Sequence, residues 1–335
     1  MHARFSDLNY DVLNPPPFST TIVGTTGPET LIADNQGDVV QAGTGSDIMM
    51  GGTGDDLFRD GPGADTIIGG GGFDRLSFSF WAGSATQGVV ASLATQTVYD
   101  DGHGNVEHLS GIESLGAGTL FRDVFIGDDN PNFLWGDTGD TLLGLGGGDV
   151  IQVGGAPALV DGGSGVNTLV MGDDHLVANG RGVREQTDDH GATVDLARGL
   201  IVDAGDGSSG LVRNIQDVDG GPLNDVIVGD RNDNVIAGLA GDDTLTGGGG
   251  HDVFLYTDEA FDTDGNPNNG HDVITDFNRG LDKIDFDVAG VKGMGDLTIT
   301  HDAHGDVVVG YGDIGETITL LGVHHVNQTD FLFML

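Results

Sequence analysis

The sequence predicts an all-β chain: a right-handed parallel β-roll or β-helix solenoid with an antiparallel β cap at its C-terminal end. Three observations carry that prediction. Nine-residue units recur in three blocks, each holding an apolar residue in phase. Glycine supplies 61 of the 335 positions and gathers at the same places in each nine, where a tightly turning backbone needs positive φ. No helical amphipathic period of useful length interrupts the pattern.

Composition narrows the rest. The chain carries 53 acidic residues against 12 basic ones, a net charge of −41, and no cysteine. Such a polyanion has no general basic patch for nucleic acid or an anionic membrane. Without cysteine, disulfides, thiolate metal sites and cysteine nucleophiles are excluded. No run approaches the roughly 18 apolar residues of a membrane span. The opening MHARFSDLNYDVLNPPPF lacks the apolar core of an ordinary secretory signal. High net charge alone would favour disorder. The in-phase apolar residues point instead to an ordered fold whose acid is neutralised by bound cations.

Residues 1–23 form an extension ahead of the repeats. The first nonad block, residues 24–77, reads GTTGPETLI, ADNQGDVVQ, AGTGSDIMM, GGTGDDLFR, DGPGADTII and GGGGFDRLS. Its sixth positions are Glu29, Asp38, Asp47, Asp56, Asp65 and Asp74, and its eighth are Leu31, Val40, Met49, Phe58, Ile67 and Leu76. The second block, 118–170, has one line a residue short and more varied acids: Asp123, Asn132, Asp140, Asp149, Ala158 and Asn167. The third, 220–255, carries Asp225, Asn234, Asp243 and Asp252.

Each nine divides into a three-residue strand, whose middle apolar side chain points inward, and a six-residue turn. Turn carbonyls and one carboxylate per turn are hard oxygen ligands. Calcium takes six to eight such oxygens in flexible geometry, whereas magnesium demands a tighter octahedron. The candidate metal ligands are Asp38, Asp47, Asp56, Asp65, Asp74, Asp140, Asp149, Asp225, Asp243 and Asp252. Successive turns fall on opposite sides, so an ion would be shared by Asp47 with Asp65, Asp56 with Asp74, and Asp225 with Asp243. The pattern G-G-x-G-x-D-x-U-x, with U apolar, resembles the RTX, or haemolysin-type, calcium-binding family.

Two inserts, 78–117 and 171–219, break the nonads and resemble each other at a constant offset, with Leu93 matching Leu196, Asp100 matching Asp203 and Ile112 matching Ile215. Each reads as two short strands around an Asp-Gly loop. Similar segments feed nonad runs in RTX proteins, including the R-modules of mannuronan epimerases. That resemblance implies wider coils of one continuous solenoid.

Residues 256–335 change character. Alternation in LTIT, DVVVGY and TITL argues antiparallel strands that cap the solenoid. The endings DKIDF and DFLF resemble the C-termini of RTX proteins, which implies an address for the type I secretion machinery and an extracellular location.

No H-E-x-x-H, G-x-S-x-G or phosphate-loop motif is present. Any chemistry would therefore lie on the solenoid or its inserts. Candidates are Tyr99, His103, Glu107 and Arg122 around the first insert, and Arg181 and His190 in the second. Arginines suit the carboxylates of an acidic polysaccharide, and Tyr or His could serve as the base of a lyase. Glu107 with a neighbouring acid could form the pair of a glycoside hydrolase. The expected function is a secreted, calcium-folded module that binds extracellular polysaccharide, or alternatively a compact enzyme that cleaves it.

Overall fold

The computed structural model describes residues 18–116, 118–172, 190–258, 269–312 and 315–333. It is nearly all β. Two compact units divide the chain, the first reaching to Asn167 and the second beginning at Thr168.

In the first unit the eighth positions of alternate nonads stack into two parallel columns. Val40, Phe58, Leu76, Leu115, Leu134 and Ile151 sit opposite one another in register across one sheet. Leu31, Met49, Ile67 and Leu109 do so in the other. Most of these side chains are completely buried. Flanking residues such as Thr30, Ile32, Ile48 and Met50 are exposed, which is the period-two logic of a strand. Fully burying such side chains contributes about 1.5–3 kcal/mol each, and that contribution holds the rungs together.

Among the described residues each insert holds three antiparallel strands, rather than the two expected, and a fourth that joins the other sheet. In the first, Val90–Ser92, Thr97–Asp100 and Glu107–Ser110 run antiparallel in sequence. The apolar stretch splits at Gln96, whose φ of +52° makes a tight left-handed corner. The flanking strands rejoin the nonad sheet, Glu107–Ser110 beside Thr66–Gly70 and Val90–Ser92 beside Val124–Ile126, both parallel. Meanwhile Arg75–Ser77 pairs directly with Ser114–Gly116 in the other sheet. The insert is thus a detour of one sheet that leaves the other unbroken.

The second unit repeats the plan. Leu169, Val218, Ile236, Phe254, Ile284 and Phe331 form one register column. Val194, Ile227, Leu245 and Ile274 form another. Near the C-terminal end Thr298–His301, Val307–Tyr311 and Glu316–Leu320 are antiparallel, as the alternation predicts. The last strand, Phe331–Phe333, is parallel to Lys283–Asp287, and its two phenylalanine rings stack on Phe286 at 6.3 and 6.0 Å.

Candidate metal centre

The turns are tied together by their acids. The Asp38 N–H donates to Asp56 Oδ1 at 2.8 Å, and the Asp56 N–H donates to Asp74 Oδ1 at 2.9 Å. On the opposite side Glu29 donates to Asp47 Oδ1 at 2.7 Å and Asp47 to Asp65 Oδ1 at 2.8 Å. The second block continues the rule, with Asp123 donating to Asp140 and Asn132 to Asp149, both at 2.9 Å. In the second unit Asp225 donates to Asp243 at 2.8 Å and Asn234 to Asp252 at 3.0 Å. One carboxylate oxygen of each turn therefore satisfies a buried amide of the turn before it on the same side.

The fate of the second oxygen sorts the turns into two kinds. Where position four is Gln36, Phe121, Leu223, Asn130 or Asn232, the N–H at position two donates to the side chain at position six of the same turn. Asp34 donates to Asp38, Thr119 to Asp123, Gly221 to Asp225, Asp128 to Asn132 and Asp230 to Asn234, at 2.6–3.1 Å. Asp140, in the short line, is closed the same way by the Asp137 N–H at 2.7 Å. Where position four is glycine and position six aspartate, the turn stays open; in the first line, with Gly27 at position four, the Thr25 N–H still closes onto Glu29 Oε2 at 3.0 Å. Oδ2 of Asp47, Asp56, Asp65, Asp74, Asp149 and Asp243 is buried without a hydrogen-bond partner. Asp252 stands in the same kind of turn, with Gly250 at φ +132°.

In the open turns of Asp56 and Asp65, glycine at position four is required on steric grounds. A Cβ on Gly54 would lie 2.2 Å from the Gln36 carbonyl carbon, and one on Gly63 would lie 1.7 Å from the Gly45 oxygen. Position one is small for a related reason: a Cβ on Gly51 would meet Asp56 Oδ2 at 2.3 Å.

Electrostatics follow burial rather than this division, since burial also pushes the carboxyl of closed Asp140 up to about 7. Burial pushes the carboxyls of Asp56 up to about 6, Asp74 to about 8, Asp149 to about 7 and Asp243 to about 9. At Asp38 burial also acts to raise the value, but hydrogen bonds from the Thr20 side chain and from the Asp34 and Thr20 amides together lower it. An orphaned, buried oxygen held among carbonyls is a poor place for a lone anion and a good one for a hard cation. The open turns therefore fit calcium.

Several groups in the columns lie outside the nonads. Glu113 accepts the Asp74 N–H at 2.8 Å, Asp272 the Asp243 N–H at 2.8 Å, and Asp282 the Asp252 N–H at 3.1 Å. Each is followed by a residue and then an apolar one (E-S-L, D-V-I, D-K-I), the same end of the nine that marks the regular turns.

The catalytic candidates do not converge on one open site. Tyr99 is 51% exposed and its hydroxyl donates to Thr95 Oγ1 at 3.1 Å. His103 Nε2 lies 3.0 Å from Ser84 Oγ, and Nδ1 lies 3.7 Å from Asp101 Oδ2. Glu107 is completely buried, so it shares no solvent face with Tyr99. Arg122 is exposed, with its side chain beside Gly139. His190 pairs with Asp203 at 2.8 Å in the second unit. Arg181 falls outside the described residues.

Comparison with known proteins agrees with the turns. The family profile of the RTX calcium-binding nonapeptide repeat (4 copies) matches residues 23–58, 41–76 and 219–254. No curated protein matches the chain. Among solved structures, the extracellular lipase LipA from Serratia marcescens is similar at 18% identity and a TM-score of 0.30, covering 95% of this chain. The chain spans 41% of that lipase's length. No helix among the described residues is long and apolar enough to cross a membrane. Every open glycine turn except that of Asp149 lies within the profile matches, and the chain thus carries RTX calcium-binding nonapeptide repeats at residues 23–76 and 219–254.

Proposed function

We propose that this is a secreted β-roll protein that folds when extracellular calcium fills its open turns, and that it serves outside the cell as a polysaccharide-associated module. The observation that carries the reading is the set of buried, unbonded carboxylate oxygens in the glycine turns. Asp47 with Asp65, Asp56 with Asp74, and Asp149, Asp243 and Asp252 would hold the ions through side-chain oxygens and neighbouring carbonyls. Asp38, Asp140 and Asp225, closed by their own turns, would act chiefly as backbone partners in the columns. Calcium supplies the positive charge that lets these acids stand together. Without it, a net charge of −41 repels and opposes collapse. Binding free energy then becomes folding free energy. Such a chain would stay extended during type I export and fold in millimolar calcium outside, with the C-terminal region as its address. Circular dichroism during calcium titration of chelated protein tests this. A cooperative gain of β signal is expected, and an unchanged spectrum would sink it.

The polysaccharide part is supported by exposed side chains on the first insert and the turn packed against it: Phe80, Tyr99, Phe121 and Arg122. Aromatic faces and a guanidinium suit an acidic glycan. Incubating calcium-folded protein with acidic and neutral polysaccharides separates the outcomes. Retention without new reducing ends fits a binding module. New reducing ends indicate cleavage, with accompanying absorbance near 235 nm marking a lyase. The absence of both retention and release would remove polysaccharide from the proposal.

A further inference from the structure

One group of buried acids is only partly accounted for by the nonad turn pattern. In the fifth nine, position one is Asp60, where its neighbours in the block have Ala42, Gly51 and Gly69. Position one faces the position-six carboxylate, so Asp60 brings a second carboxyl against Asp65. A third comes from the insert. Strand Glu107–Ser110 lies parallel to Thr66–Gly70 with His108 opposite Thr66. That register makes Glu107 the next member of the column Glu29, Asp47, Asp65.

Glu107 does not fill the role of an ordinary column member. Both of its oxygens, like Asp60 Oδ1 and Asp65 Oδ2, are buried with no hydrogen-bond partner outside the trio. The three residues are 3%, 2% and 0% exposed in chain order. One oxygen from each lies within 4.8 Å of the other two. Calcium–oxygen bonds of about 2.3–2.6 Å place the ligands of one ion within about 5 Å of each other, so the spacing suits a shared ion. Asp101, also buried, is not a competitor for it. Its Oδ1 accepts from the His103 and Asn105 N–H groups at 2.8 and 2.9 Å, and its Oδ2 accepts from the Asn105 side chain at 2.8 Å. Like carboxylates in a dry site cannot all ionise without a counter-charge.

We propose that Asp60, Asp65 and Glu107 form a separate site for a hard divalent cation, calcium, which fastens the third strand of the first insert to the nonad stack. The site goes beyond the glycine-turn ions because two of its three side chains lie outside the position-six pattern.

The test is bound calcium per full-length chain, counted by elemental mass spectrometry after chelation and reloading, in wild type, Glu107→Gln and Asp60→Gly. The last restores the usual glycine at position one and keeps an ordinary nonad, so it guards against a folding failure. Each variant is expected to hold one ion fewer while keeping its calcium-dependent β signal. Hydrogen exchange of residues 97–110 at saturating calcium is expected to speed up in both, with residues 200–213 unchanged. An unchanged count in Asp60→Gly overturns the site yet leaves the glycine turns standing. A wild-type chain that takes up no calcium overturns both.

Discussion

The two inserts are built on one backbone plan and differ in what they bury. Asp100 Oδ1 accepts the N–H groups of Gly102 and Gly104 at 2.9 and 3.2 Å, and Asp203 Oδ1 those of Gly205 and Gly207 at 2.9 and 3.0 Å. The first corner is left-handed in both, at Gln96 (φ +52°) and Gly199 (φ +70°), and so is the second, at Gly111 (φ +59°) and Asn214 (φ +56°). Yet at the same offset Asp101 becomes Ala204 and Glu107 becomes Gly210. The loop closes equally well in both cases: Asp101 donates its N–H to the Asn105 oxygen at 3.2 Å, and Ala204 to the Ser208 oxygen at 3.1 Å. The strand–turn–strand architecture therefore does not need the buried acids. Acids that a fold can do without, and that cost desolvation to bury, point to a ligand.

That comparison can be broken most forcefully by removing calcium. Chelation is expected to abolish most of the β signal and expand the chain, the first insert along with the second, because both rest on nonad stacks. If light scattering and circular dichroism of chelated protein match the loaded form, the acids are neutralised some other way.

Core truncation should not distinguish the inserts. Val98 and Ile201 occupy equivalent places and both are fully buried. Ile201→Ala should cost about 2–5 kcal/mol in urea unfolding at saturating calcium, and Val98→Ala somewhat less because it loses less volume. A negligible effect at either position would mean that insert is not packed as described.

Acidity tests the burial of the column carboxyls. The raised carboxyls of Asp56 (about 6), Asp149 (about 7), Asp74 (about 8) and Asp243 (about 9) bind protons in the folded chain that the unfolded chain releases at lower pH. Folding without calcium thus takes up protons, and stability falls as pH rises from the ordinary carboxylate range through these values. Chelated protein should show more β signal at pH 5 than at pH 8. Calcium, which competes with those protons, should bind more weakly at pH 5. The opposite order in the chelated protein would contradict the burial of these oxygens.

The smallest effect is expected at the shared loop aspartates. Asp100→Ala and Asp203→Ala each remove an acceptor of two partly solvated amides, a loss of about 1–3 kcal/mol read from thermal unfolding at saturating calcium. Similar losses would confirm the common plan, and a large difference would show that one loop carries more of its insert than the other.

Much of this was legible in the residues. The phase of Val40, Met49, Phe58 and Ile67 predicts their burial, and the pairing of Asp47 with Asp65 and Asp56 with Asp74 follows from turns that alternate sides. The third insert strand was not legible, because nothing in the text of residues 90–100 marks the corner at Gln96, a residue that rarely adopts positive φ. Glu113, Asp272 and Asp282 were hidden because they keep only the last part of the nine and lose its glycines. The trio Asp60, Asp65 and Glu107 has no period at all: the insert must fold back before its third member meets the first two. The split between open and closed turns depends on position four, a distinction that only hydrogen-bond geometry makes visible.

The columns of acids also have a direction. Each carboxylate receives the amide of the turn that precedes it in the chain, as Asp74 receives Asp56 and Asp56 receives Asp38. A stack that grows toward its N-terminus finds an acceptor already in place at every step. One that grows the other way leaves its newest amide waiting for the turn to come. The backbone bonds run the opposite way, with the Leu57 N–H donating to the Asp38 carbonyl and the Arg75 N–H to that of Asp56. Each rung is thus held from both sides by bonds of opposite sense, and a defect in one turn is felt by its neighbours in both directions.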